Sequence, residues 1–486
     1  MATHTILYIA AGYFALLFLI SRLSEGKRDN DAFFRGARQS PWWAVAFGMI
    51  GASVSGVTFV SVPGMVANMQ MTYLQTCMGF FFGYVFVAFV LLPVYYRLNL
   101  ISIYTYLQKR FGEVSYRTGA SFFFISKLVG ASIRLYLVCA ILQTLVFDHY
   151  GMSFHLTTAL VLLLIWLYTR KSGIKTIVWS DCLQTLVLLS ALVLIILQVC
   201  QKLDFSVSDA VECITASEMG RIFVFDDVAS KQYFWKQFIS GIFIVVVMTG
   251  LDQDMMQKNL TCKTLRQSQL NMCVNGALYL PVNMLFLGLG VLLYTLCKAE
   301  GIEVPASGDE LLPMLCGSGA LGSVTLVLFV LGIVAAAFSS ADSAMTSLTT
   351  CLCVDILQKP QDEKLRKLVH PFVAVCIMAF ISLVRALNNT SVIDAVYVVC
   401  GYTYGPLLGM YAFGFLTRRR TRECLVPLFC VLSPVACYMI DLWVQSQWGI
   451  KLGYELLMVN GAITFLCLLL TSSKLGADNG CGDSHV

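Results

Sequence analysis

Long apolar runs alternate with short polar, mostly basic stretches along the whole chain. At 1.5 Å per helical residue, a run of about 20 residues crosses a hydrocarbon core of roughly 30 Å. Thirteen runs approach or exceed that length: approximately 5–22, 42–67, 74–96, 119–147, 154–169, 176–201, 234–251, 270–297, 320–350, 369–387, 392–416, 423–443 and 453–473. The pattern predicts an all-α polytopic membrane protein of about 13 transmembrane helices.

Two of these runs are interrupted. The second reads GMIGASVSGVTFVSVPG from Gly48 to Gly64, dense in Gly and Ser at mid-membrane depth. The seventh, GIFIVVVMTGLDQDMM, passes from Thr249-Gly250 straight into Asp252, Gln253 and Asp254. Backbone freed from a helix in hydrocarbon survives only where it lines a cavity or coordinates something. Five spans separate the two breaks, and the two broken spans enter from opposite sides. Spans two to six and seven to eleven therefore read as inverted repeats, the sequence pointer to a midplane site in a secondary transporter.

The ninth run carries GIVAAAFSSADSAMTSLTTCLCVD from Gly332 to Asp355. Small residues at this spacing suit close helix packing. The same residues also fit a hard-cation site, because Ala336, Ser339 and Ser340 place a carbonyl and two hydroxyl oxygens on one helical face. Both readings stand at this point.

Composition narrows the class. Hydrophobic residues make up 58% of the 486, charged residues 13%, and the mean hydropathy is +0.76, which excludes a soluble protein. The net charge of +5 matters through its distribution. With the N-terminus outside, 24 of the 33 Lys and Arg fall in inside loops, Lys258 among them, as the positive-inside rule requires. The first run has Arg22, Lys27 and Arg28 after it and no basic residue before it, so it reads as a retained helix and not a cleaved leader. The 18 cysteines are scattered through apolar runs as small hydrophobes, with a Cys213–Cys316 disulfide left open in the outside loops. No nucleotide, kinase or metal-site motif is present, so an enzyme, a nucleic-acid partner and ATP-driven transport are not expected.

Five blocks together resemble the sodium:solute symporter family: GASVSGVTFVSVPG, VWSDCLQ (Val178–Gln184), TGLDQDMMQKNLTCKT (Thr249–Thr264), AAAFSSADSAMTSL and GYTYGPLLG (Gly401–Gly409). The resemblance runs from about Phe33 to Arg420. It implies a LeuT-like inverted-repeat core of ten helices, here with one helix before and two after, performing sodium-driven uptake by alternating access. It also implies a main sodium site at Gly51, Val54, Ala336, Ser339 and Ser340. A second site, found in some members, matches Asp181, Ser339 and Ser343. Ser53 stands where the proline-transporting branch has an Asp, and Asp252 where sugar-transporting members have an Asn, so neither substrate is assigned.

Depth agrees with the second site. Asp181 lies about 10 Å into the membrane if span six enters near Ile174, and Ser343 about 6 Å inward of Ser339. A carboxylate there needs a cation, a donor network, or neutrality, with Lys175 as a pairing candidate. Lys127 and Arg134 share one face of span four. Arg134 either clamps an organic anion or pairs permanently with an acid such as Asp342 or Asp394. Further candidate substrate residues are Thr58, Phe59, Gln75, Asp252, Gln253, Tyr402 and Tyr404.

The sequence thus predicts a sodium-coupled symporter for a small organic solute in a lipid bilayer, with Na+ as coupling ion, no organic cofactor and no obligatory protein partner. A proton-coupled symporter of the same fold, a membrane sensor on a transporter scaffold and a passive channel are the alternatives, the last disfavoured because paired helix breaks predict an occluded site and not a continuous pore. The expected units are 1–40 (first helix and basic loop), 41–201 (first repeat), 202–233 (acidic outside loop), 234–417 (second repeat) and 418–486 (two last helices and tail). The expected location is a bacterial inner membrane, with the N-terminus outside and the C-terminus inside.

Overall fold

The apolar runs are helices in the computed structural model, which describes residues 2–23, 33–34, 36–170, 173–387, 392–449 and 452–473. Backbone in hydrocarbon must find its hydrogen bonds within the segment. Among the described residues the only β pairing is two isolated bridges.

In chain order the principal helices are α1 (Ala2–Leu23), α2 (Trp42–Ser53), α3 (Gly56–Gly64), α4 (Tyr73–Arg97), α5 (Glu113–Tyr150), α6 (Phe154–Thr169), α7 (Ile174–Lys202) and α8 (Val207–Ala216). They continue with α9 (Phe234–Gly250), α10 (Gln253–Asn259), α11 (Leu265–Glu300), α12 (Gly322–Ile356), α13 (Glu363–Leu387), α14 (Val392–Leu416), α15 (Val426–Trp448) and α16 (Leu456–Thr471). Among the described residues seven helices are long and apolar enough to cross a membrane, and up to nine spans result when each bent pair counts as one. Each of the thirteen predicted runs overlaps one of these helices or bent pairs.

The bent pairs are the two interrupted runs. α2 and α3 meet at 53°, and α9 and α10 at 70°. At the first break Val54 (φ −86°, ψ 85°) and Ser55 (φ −76°, ψ 171°) leave the helical region, so local carbonyls lose their helical donors. At the second, Asp252 caps α10, its carboxylate accepting from the N–H groups of Asp254 (2.8 Å) and Met255 (3.4 Å). The breaks open the second and seventh spans, which gives the inverted five-plus-five core with α1 before it and α15 and α16 after it.

The outer loop is folded onto the core. Ser206 and Asp209 form a capping box at the start of α8. Gln75 of α4 pins the loop's end, donating to the Gln232 carbonyl at 2.9 Å and accepting from Val224 N–H at 3.2 Å. Cys213 and Cys316 are free thiols, and the Cys213 sulfur sits 3.5 Å from Thr295 Oγ1.

Candidate functional site

Three helices converge on Asp181. Glycines let α2 approach α7: a Cβ on Gly48 would lie 2.8 Å from Asp181 Cβ, and one on Gly51 would collide with Thr185 Oγ1. From the third side, Ser339 of α12 donates to Asp181 Oδ1 at 2.6 Å. The Gln184 amide, turned nitrogen-first, donates to the same oxygen at 3.1 Å. The other oxygen, Oδ2, faces Lys258 Nζ of α10 at 2.8 Å, with both side chains 1% exposed.

This ion pair corrects one sequence expectation: Lys258 is not in a solvated inside loop but lies beside Asp181. The side chains of Lys175 and Asp394, and the tail from Lys474, lie outside the described residues.

The start of α3 meets α12 one turn before Ala336, where a Cβ on Gly56 would lie 3.6–3.7 Å from Ile333. Gly51, Val54, Ala336 and Ser339 are buried at this junction of α2, α3, α7 and α12, with Ser340 half-buried. Ser340 Oγ donates to the Ala337 carbonyl (3.0 Å) or the Ala336 carbonyl (3.2 Å). Ser343 Oγ donates to the Ser339 carbonyl at 2.9 Å or to Asp342 Oδ1 at 3.1 Å. A hydroxyl has one hydrogen and two lone pairs, so each of these serines keeps oxygen lone pairs for a cation. Asp342 is engaged elsewhere, accepting from Tyr168 OH at 2.7 Å.

A cavity joins the two helix breaks. Ser53, Ser55 and Thr58 line it from the first break, Thr249 and Asp252 from the second, and Lys127, Arg134 and Tyr404 from α5 and α14. Lys127 Nζ lies 2.6 Å from Asp254 Oδ2 and 3.1 Å from Asp252 Oδ2, and Tyr404 OH donates to Asp252 Oδ2 at 2.6 Å. Lys127 is thus matched by two carboxylates. Among the described residues no carboxylate lies within ion-pair distance of Arg134, and Asp342, one proposed partner, is held by Tyr168 and Ser343.

Of the candidate substrate residues, Thr58, Arg134, Asp252 and Tyr404 line this cavity. Four others do not. Phe59 packs its ring on Phe286 and Phe329 (centroids 5.4 and 5.8 Å), and Gln75 holds the outer loop. Gln253 bridges the Ile103 N–H and the Ile101 carbonyl, and the Tyr402 ring faces Tyr438 of α15 at 6.4 Å. Ser53, Tyr84, Thr249 and Tyr279, which the sequence did not single out as substrate contacts, do line it. Ser53 and Thr249 had a signal in the Gly- and Ser/Thr-containing stretches at the breaks, which mark the neighbourhood and not the face, whereas Tyr84 and Tyr279 lie on α4 and α11, away from either break, and had none.

The model of the sodium:solute symporter family matches residues 33–424. The sodium/sialic acid symporter SiaT of Proteus mirabilis (strain HI4320) is 24% identical over 84% of this chain and 84% of its own. The human sodium/iodide cotransporter is 24% identical over 89% of this chain and 69% of its own. Among solved structures, the substrate-bound outward-open state of a Na+-coupled sialic acid symporter superposes with a TM-score of 0.82 at 20% identity, covering 98% of this chain and 99% of that one. With the paired helix breaks, the shared cavity and the hydroxyl face of α12 in place, the match over most of the chain is decisive: the protein belongs to the sodium:solute symporter family and is a sodium-coupled membrane transporter.

Proposed function

We propose that this symporter imports a small organic anion, held in the cavity between the two helix breaks by Arg134. The observation that carries this is the place of Arg134: it lines the cavity between the two breaks together with Lys127, whose own charge is matched by Asp252 and Asp254. A guanidinium in such a place suits bidentate recognition of a carboxylate. The names of the relatives point the same way, since sialic acid and iodide are both anions at neutral pH.

Sodium would bind at the α2/α3 break, on the carbonyls of Gly51, Val54 and Ala336 and the hydroxyls of Ser339 and Ser340. A second cation would sit at Asp181 with Ser339 and Ser343. Both lie on helices that also build or flank the cavity, so ion and solute occupancy bear on one junction. Coupling is reciprocal: sodium tightens solute binding by the factor by which solute tightens sodium binding. The membrane would be a bacterial inner membrane with the N-terminus outside, and the repeats would occupy 41–201 and 234–417.

Uptake into proteoliposomes under an inward sodium gradient tests the reading, with radiolabelled sialic acid and lactate beside glucose and proline. Sodium-dependent, saturable uptake of an acid is expected. Arg134→Gln should raise its KM about 10- to 100-fold, the worth of a hydrogen bond to a charged group. Uptake of a neutral solute that Arg134→Gln leaves unchanged would overturn the anion assignment.

A further inference from the structure

We infer that Lys258 is a tethered cation that exchanges with sodium at Asp181, holding the carboxylate when the ion is absent and yielding it when the ion binds. This rests on the second cation site proposed above. The two oxygens of Asp181 are treated differently: Oδ1 is occupied by neutral donors, Ser339 and Gln184, while Oδ2 faces the Lys258 ammonium at 2.8 Å, the one cation within ion-pair distance among the described residues. Oδ2 is thus the oxygen a positive charge must serve.

The pair is close and has one carboxylate for one ammonium. Among the described residues Asp181, at 2.8 Å, is the single carboxylate within ion-pair distance of Lys258 Nζ, and both side chains are buried. An ammonium offers three N–H donors, so one carboxylate leaves it less fully matched than two would. Lys127 makes the contrast, since its ammonium bridges Asp252 and Asp254 with contacts at 3.1 and 2.6 Å and hydrogen-bonds both Asp252 oxygens. Lys127 is locked and Lys258 is replaceable.

Lys258 is carried by α10, the half-helix that Asp252 caps and that also bears Asp254. Because α10 is the short half-helix beyond the 70° break, loss of the Lys258–Asp181 pair removes a tie between the second interrupted span and α7. Sodium arrival at Asp181 would thereby be reported to the helix that carries Asp252 of the solute cavity. A site that is competent in only about a tenth of molecules binds its ligand about tenfold more weakly, so removing the competitor should recover that factor.

Equilibrium binding of 22Na+ to the purified full chain in nanodiscs tests this, with melting temperature as the fold control. Lys258→Gln should tighten sodium binding about tenfold or more, Lys258→Arg should stay near wild type, and Asp181→Asn combined with Lys258→Gln should abolish the gain. Unchanged or weaker sodium binding in a folded Lys258→Gln protein overturns the exchange. If Ser340→Ala also leaves sodium binding untouched, the sodium sites themselves are misplaced, which is a separate failure. Should Lys258→Gln not fold, the wild-type structure in saturating sodium decides: Nζ more than 4 Å from Oδ2 supports the inference, and an intact pair refutes it.

Discussion

Lys127→Met should be the most destabilising single change in the cavity wall, and the structure sets its size. The ammonium is nearly buried and touches Asp254 at 2.6 Å and Asp252 at 3.1 Å. Removing it leaves two buried carboxylates facing each other without a cation. Breaking one buried pair costs about 3–5 kcal/mol, because the orphaned charge stays desolvated. Two orphans place Lys127→Met at or above the top of that range. Asp254→Asn should cost much less, about 1–2 kcal/mol, because Asp252 still neutralises the ammonium and the Asn amide still accepts a hydrogen bond. Asp252→Asn falls between, since Asp252 also caps α10 and accepts from Tyr404 at 2.6 Å. Lys127→Met with Asp254→Asn should recover part of the loss, with one fewer orphan, and the double-mutant cycle should give a coupling of about 2–3 kcal/mol. Equilibrium unfolding in mixed micelles measures all four. Lys127→Met as stable as wild type, or Asp254→Asn as damaging as Lys127→Met, would refute the reasoning.

Other substitutions report on separate contacts. Gly51→Val forces a branched side chain into Thr185, so it should destabilise by about 1–3 kcal/mol and weaken sodium binding with it, read by melting and 22Na+ binding. Gln75→Ala removes both bonds that hold the outer loop and should speed hydrogen exchange over residues 222–233 while leaving solute KM near wild type; a large KM change would place Gln75 in the solute site after all. Tyr168→Phe takes the donor from buried Asp342 and should cost about 1–3 kcal/mol in the same unfolding assay.

Helix positions were legible because hydrocarbon allows few solutions: apolar length and the need for internal hydrogen bonds fix where the chain crosses. The breaks were legible for the same reason, since Gly48–Gly64 and Thr249–Asp254 combine weak helix formers or charge with mid-membrane depth. Lys258 was not. It follows Asp252, Asp254 and Gln257 in a stretch so polar that hydropathy places it in an aqueous loop, whereas α10 is a polar half-helix buried in protein. The clue was the unpaid charge of Asp181, which demanded a cation the sequence could not locate in space. Phe59 and Gln75 show the converse limit. Phe59 is one helical step past Thr58, which turns it toward Phe286, and Gln75 lies more than a turn before Phe80 on α4, at the level of the outer loop.

The central claim is that sodium binds on the hydroxyl face of α12 against the α2/α3 break. A sodium titration of thermal stability on the purified protein tests it most directly, with choline or potassium holding ionic strength constant and Ser340→Ala run alongside. A ligand that binds only the folded state stabilises it by about 2.7 kcal/mol at a hundred times its Kd. The account predicts saturable stabilisation by sodium beyond that given by potassium, shifted to higher concentration in Ser340→Ala. Equal stabilisation by sodium and potassium, or a Ser340→Ala protein that responds as wild type does, would contradict it.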